Sequence, residues 1–184
     1  VRRMMRARIR AGDPAAFREL FGEHAQAIYR HAVRATGDWS AAEDVVSLTF
    51  LEAWRLRGRL DPEGDGLAPW LFGIATNVLR NTSRAARRHR AALSRLPAGA
   101  EVPDFADEIA GRADDAARIG AAHAALARLG DTDREIIMLC VWAGLDYAST
   151  AEALGIPVGT VRSRLSRART RLRELSATLQ EESR

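Results

Sequence analysis

The segment Ile156 to Arg173, IPVGTVRSRLSRARTRLR, holds six arginines and no acidic residue, while its apolar side chains recur at helical spacing. At about 100° per residue, Val161, Leu165, Ala168, Leu172 and Leu175 fall on one stripe, which has to pack on a neighbouring element. The opposite face is free for something other than a core. Its midline carries the small residues Gly159, Ser163, Ser166 and Thr170, with Arg162, Arg169 and Arg173 along one side and Arg164, Arg167 and Arg171 along the other. A duplex major groove, roughly 12 Å wide, admits a helix whose low ridge meets base edges while flanking guanidinium groups reach phosphates on both walls. A merely solvated amphipathic helix mixes Glu among its basic residues for i,i+4 support, yet no acid appears in this segment before Glu174. The stretch reads as a helix that faces nucleic acid.

Its upstream context agrees. Asp131 to Gly144 reads as a helix that starts at Asp131 or Thr132 and carries Ile136, Ile137, Leu139, Cys140 and Val141; Asp146 then caps a short helix, Tyr147 to Leu154. Gly155 makes the turn, and Pro157 suits the first turn of the next helix, where its missing N–H costs nothing. A short helix, a Gly turn and a basic second helix make a helix-turn-helix, whose second helix reads bases with its N-terminal part. Thr160, Arg162, Ser163, Ser166 and Arg167 are the expected readers. Arg171 and Arg173 lie too far along and are assigned to phosphate, protein or water.

The chain has 184 residues, enough for one medium domain or two small ones, with an ordinary 47% hydrophobic content. Net charge is only +4, yet the isoelectric point is near 10.4 and every basic residue other than His is Arg. A GC-rich genome accounts for the absence of Lys; DNA accounts for where the arginines sit. Cys140 is the sole cysteine, so neither an internal disulfide nor a cysteine-based zinc site can form, and a reducing cytoplasm fits. The longest apolar run, Ile136 to Leu145, is too short to span a bilayer, and the Arg-rich N-terminus is not followed by a signal-peptide hydrophobic region. No membrane insertion is expected.

Charge partition sets the organisation. Arg80 to Arg95 holds six arginines, His89 and no acid, whereas Leu96 to Asp115 brings Pro97, Gly99, Pro103 and Gly111 together with six acids. The expected layout is all-α: a helical lobe over about 12–95, an acidic Pro/Gly linker over 96–113 and a second lobe over 114–180, with no β-type alternation of useful length. The linker's acids have two open uses, as solubilising charge or as a DNA mimic against a basic channel.

In the first lobe, Asp13 and Pro14 start a helix with Phe17, Leu20, Phe21, Ile28 and Tyr29 as apolar positions, and Gly37 and Asp38 end it. A second helix runs from about Ser40, with Val46, Phe50, Ala53 and Trp54 on one face and Glu43 and Asp44 in its first turns, where the helix dipole favours acids. Asp61 to Gly66 is a loop. A third helix, with Pro69 in its first turn, repeats the logic of the segment at Ile156: Leu71, Ile74, Ala75, Val78, Thr82 and Ala85 form a buried stripe, and Asn77, Arg80, Asn81, Arg84, Arg87 and Arg88 crowd the reverse. Amides on that face can bond base edges and arginines can follow a backbone; Trp70 and Phe72 offer stacking surfaces or, the commoner fate of such side chains, core.

Taken in order, AEDVVSLTFLEAW, APWLFGIATNVLRN and LDYASTAEALGIPVGTVRSRLSRARTRL resemble regions 2.2, 2.3–2.4 and 4.2 of the extracytoplasmic-function (group IV) sigma factors, bacterial members of the sigma-70 family. The resemblance covers nearly the whole chain. It implies an RNA polymerase sigma factor whose first lobe docks on the β′ coiled coil of the core enzyme through the helix around Glu43, Asp44 and Phe50. The same lobe would melt and read the minus-ten element, with Asn77 and Asn81 near a captured non-template base and Arg80, Arg84, Arg87 and Arg88 on the strand backbone. Capture of a single strand makes physical sense, because a base must leave the stack to be read fully. The second lobe would bind the minus-thirty-five element as duplex while touching the β flap, and the linker would cross the RNA exit path. An anti-sigma partner is common in such a family, although nothing in these residues requires one. Where the family has Gln then Glu, this chain has Ser47 and Leu48; where it has Glu and Ile, this chain has Ser149 and Thr150. Thr150 sets a hydroxyl where a core methyl is expected, which either lowers the stability of that lobe or is met by a bond back to the helix carbonyl.

An enzyme reading has little support. His24, His31, His89 and His123 are scattered, with no HExxH, phosphate-binding loop or paired Cys, so no catalytic residue, cofactor or metal is expected. The competing reading is a two-lobed helix-turn-helix regulator that acts on duplex DNA without core polymerase.

Overall fold

The computed structural model describes residues 2–64, 66–93 and 125–182, and the expected linker over 96–113 lies outside the described residues. Every regular element among them is helical. α1 (Arg2–Arg10), α2 (Pro14–Thr36), α3 (Trp39–Leu56) and α4 (Ala68–Leu93) build the N-terminal lobe. α5 (Asp131–Ile137), a π-helical turn (Met138–Trp142), α6 (Tyr147–Leu154) and α7 (Val158–Glu182) build the other.

Local chemistry sets most boundaries. The Asp13 carboxylate accepts from the backbone N–H of Ala15 at 2.8 Å and Ala16 at 3.4 Å, and Pro14 follows as the first helical residue. Arg8 donates to the same carboxylate at 2.7 Å, and this bond more than the cap holds Asp13 below the usual carboxylate pKa. α2 ends at Thr36, and the Asp38 carboxylate starts α3 by accepting from Ala41 N–H at 3.1 Å. α3 thus begins one residue before the expected Ser40.

The N-terminal lobe packs Leu20 and Ile28 of α2, Phe50 and Ala53 of α3, and Leu71, Phe72, Ile74 and Ala75 of α4. Each fully buried aliphatic side chain here contributes about 1.5–3 kcal/mol relative to exposure. α1 lies ahead of the boundary expected at residue 12, yet its Ile9 is in this same core. Arg6, also on α1, is buried and donates through Nε to the Asp61 carbonyl at 2.6 Å and through Nη1 to the Gly66 carbonyl, so it ties both residues to the lobe. Of the stripe expected on α4, Leu71, Ile74 and Ala75 are buried and Val78 and Thr82 half-buried, whereas Ala85 is exposed.

The two lobes are not held apart. Leu139 of the π-helical turn enters the N-terminal core, and Ala32, Val33, Ala42, Val45 and Leu79 share a second core with Ile136, Met138, Val161 and Leu165. α6 runs against α4. Their crossing is at Gly73, where a Cβ would lie 2.7 Å from the Ala153 carbonyl oxygen, so only a residue without a side chain lets the two backbones approach this closely.

Candidate nucleic-acid interface

The helix-turn-helix assembles as its capping residues dictate. Asp146 accepts from Ser149 N–H at 2.7 Å and starts α6. Gly155 ends it at φ +64°, a left-handed conformation that Gly adopts without steric cost. Pro157 stands one residue ahead of α7, and its carbonyl accepts from Thr160 and Val161. Val161, Leu165, Ala168 and Leu175 are buried and Leu172 is half-buried, so the apolar stripe packs as its spacing predicts.

On the outer face of α7, Arg162, Ser163, Ser166 and Arg167 are exposed, and Thr160 is half-buried at its N-terminal end. The Ser163 hydroxyl donates to the Thr160 carbonyl at 3.2 Å, and the Arg162 guanidinium lies 6.0 Å from the Tyr147 ring centre. The second arginine rail is shorter than its spacing suggests. Arg164 is half-buried and donates to Asp133 of α5 at 3.1 Å, so it braces the lobe instead of facing outward. Arg171 donates to Glu174 at 3.3 Å, and Arg167 and Arg171 line a groove of about 500 Å³ with Arg128, a basic residue of the preceding turn that the sequence reading did not single out.

On α4, Asn77, Asn81, Arg84 and Arg88 are exposed and follow one another along one face. The side chain of Arg87 lies outside the described residues. Arg80 is different: its Nε and Nη2 donate to the two carboxylate oxygens of Glu135 on α5, both at 2.5 Å, and its Nη1 donates to the Asn77 amide oxygen at 3.2 Å. The bonds to Glu135 raise the Arg80 pKa against the opposing effect of burial. Sequence patterning had no access to this pair, whose members are 55 residues apart. Beside it lies a groove of about 980 Å³ between the lobes, lined among others by His31, Thr76, Arg84 and Met138.

On α3, Glu43, Asp44, Ser47 and Leu48 are exposed. Phe50, expected on the same docking face, is only 9% exposed; it packs its ring 4.8 Å from that of Phe21, so it supports this face from beneath. Beside Glu43 and Asp44, the apolar groups presented outward include Leu48, 44% exposed and already singled out as a departure from the family pattern, and Leu51, 67% exposed, which the sequence reading passed over. The signal was present, since Asp44, Leu48, Leu51 and Arg55 share the side of α3 opposite Val45, Thr49 and Ala53.

The fully buried Thr150 hydroxyl meets the Cys140 thiol at 3.3 Å, a partner in the preceding element and neither of the two outcomes that the sequence left open. His31 sits in the core with its ring 5.2 Å from that of Phe72 and its Nδ1 without a hydrogen-bond partner. Trp70 packs, half-buried, against the N-terminal core, and Phe72 is inside it. Among the described residues no group of three or more His, Cys, Asp or Glu is placed to hold a metal, and no helix is long and apolar enough to cross a membrane.

Residues 20–89 match the family described as Sigma-70 region 2, and residues 119–172 match the one described as Sigma-70, region 4. The chain is 38% identical over 176 residues to the ECF RNA polymerase sigma factor SigL of Mycobacterium tuberculosis, with 93% of each chain covered. Among solved structures it resembles CnrH in complex with the cytosolic domain of CnrY, at 25% identity and a TM-score of 0.71 over 96% of this chain and 97% of that one. It also resembles the sigma factor RpoE in complex with the anti-sigma factor NepR from Bartonella quintana, at 27% identity and a TM-score of 0.60 over 88% and 96%.

Proposed function

This chain belongs to the sigma-70 family as an extracytoplasmic-function RNA polymerase sigma factor built from regions 2 and 4, a transcription initiation factor and not an enzyme, and from that membership we propose how its surfaces divide the work. α7 takes the minus-thirty-five element as duplex, with Thr160, Arg162, Ser163, Ser166 and Arg167 facing the major groove. Its exposed small-residue ridge between arginines fits that groove's width. α4 takes the non-template strand of the minus-ten element, with Asn77 and Asn81 at the captured base and Arg80, Arg84, Arg87 and Arg88 along the backbone. α3 docks on the β′ coiled coil, where Leu48 and Leu51 supply the apolar contact and Glu43 and Asp44 its acidic margin. The second lobe touches the β flap. The factor acts in the cytoplasm, and an anti-sigma protein is its proposed negative regulator, an idea supported by the NepR complex of a relative.

The observation that carries this reading is the presence of two basic helical faces, one on each lobe, only one of them in a helix-turn-helix. A duplex-only regulator would have no use for the second. Purified core RNA polymerase supplemented with this chain should initiate transcription from promoters recovered by footprinting on genomic DNA. Promoter binding by the chain alone, with neither core binding nor initiation, would return the two-lobed regulator as the answer.

A further inference from the structure

We infer that Arg128 takes the place in the second arginine rail that Arg164 leaves, and that the groove between the 125–129 turn and α7 grips a backbone phosphate of the promoter duplex. The inference rests on the assignment of α7 to the major groove. Helical spacing sets Arg164, Arg167 and Arg171 along one side of α7, yet Arg164 is turned to Asp133 of α5. Arg128 enters the same groove as Arg167 and Arg171 from a different element. Its position is fixed by its neighbours. Leu126 and Leu129 are buried in the core that holds Val161 and Leu165, and the turn closes by Arg128 N–H donating to the Ala125 carbonyl at 3.3 Å and Leu129 N–H to the Leu126 carbonyl at 3.0 Å. Arg128, between two anchored leucines, is left exposed.

The charge of the groove favours an anion. Its two acids are already answered, since Asp133 accepts from Arg164 at 3.1 Å and Glu174 from Arg171 at 3.3 Å. Arg128 and Arg167 have no acidic partner among the described residues. Two guanidinium groups on one groove, neither matched by a carboxylate, offer the charged forks that a phosphate accepts from. Position then selects the duplex as the source of that phosphate. Ser166 and Arg167 belong both to the expected readers and to the groove lining, so a duplex seated on the readers carries one backbone past the groove. A contact there holds the register of α7 on the duplex and reads no base.

Arg128→Ala tests the contact, because a substitution at so exposed a position leaves the fold intact. Core polymerase loaded with the full chain is titrated with a footprinted minus-thirty-five duplex at salt concentrations between about 50 and 200 mM. At the low end the variant should bind about three- to tenfold more weakly, equally on every sequence, and the slope of log K against log salt should shrink by about 0.9. Arg128→Lys keeps the charge and should recover most of that slope. Methylphosphonates placed one at a time along the duplex should reveal one position that weakens the wild type and has no further effect on Arg128→Ala. An unchanged slope, or a loss without such a position, would overturn the phosphate contact. Saturable binding of inorganic pyrophosphate that Arg128→Ala abolishes, beside an unchanged slope on duplex, would give the groove to a free anion and overturn it as well. Failure of the α7 assignment looks different: Arg162→Ala would then also leave affinity and base preference unchanged.

Discussion

His31 shows how a single position couples burial to pH. Burial, and secondarily the neighbouring Arg34 charge, push its pKa down to about 4, and no hydrogen bond compensates its Nδ1. The folded protein therefore keeps the ring neutral where the unfolded chain, titrating near the ordinary 6.5, takes up a proton. Stability is fully present above about pH 6.5 and falls as pH drops through the interval between 6.5 and 4, by an amount on the order of 3 kcal/mol across it. Urea titrations from pH 7.5 to 4.5 should show this slope, and His31→Leu should flatten most of it. His24, also lowered by burial, contributes in the same direction, so some slope persists. A midpoint independent of pH in the wild type would contradict the account. Nothing local in the sequence marks His31 as the buried member of the pair His24 and His31. Thr150 is similar: the sequence shows a hydroxyl where a methyl is expected, but that its partner is the Cys140 thiol depends on how the π-helical turn lies against α6.

At the scale of the element, caps and stripes were legible because they are short-range. Asp13, Asp38 and Asp146 cap the helices that follow them, and the α7 stripe is buried as its period requires. The arginine rails were legible only in part. Helical spacing gives the direction of each side chain, but not what a neighbouring helix offers it, and Asp133 takes Arg164. The two arginines should therefore respond differently to substitution. Arg162→Ala should weaken promoter binding by roughly 1–3 kcal/mol and relax preference at one base pair, as expected when a bidentate guanine contact is lost. Arg164→Ala should leave base preference intact and lower stability by less than about 1 kcal/mol, the range of a solvent-accessible ion pair. Binding measurements on a promoter and its single-base variants separate the cases; equal relaxation in both mutants would refute the division. A uniform loss on every sequence would instead make Arg162 a phosphate contact.

For the whole molecule, the sequence suggested two lobes and the structure describes two lobes that share cores. Leu139 packs with the N-terminal lobe, and Leu79, Val33 and Val45 pack with the second. Contacts of this kind couple the unfolding of the lobes, so calorimetry on the wild type should give a single cooperative transition. Gly73→Ala, by prying α4 from α6, should split it into two. Two transitions in the wild type would mean that the shared cores contribute little. The N-terminal boundary tells the same story. α1 is too short and too basic for its pattern to announce a core helix, yet Ile9 and Arg6 are buried because α2 packs on this helix and the Asp61 and Gly66 carbonyls receive the guanidinium.

By itself, the sequence determined the all-helical class, the helix-turn-helix, the basic faces of α4 and α7 and, through three ordered segments, the family. Each of these depends on periodicity or on residues within a few positions of one another, which the chain encodes locally. Only the tertiary structure decided that Phe50 lies beneath the α3 face that Leu48 and Leu51 present, that Asp133 takes Arg164, and that Glu135 holds Arg80. Pairings across 31 and 55 residues depend on where whole helices come to rest, and that position follows from the collective burial of side chains on several elements.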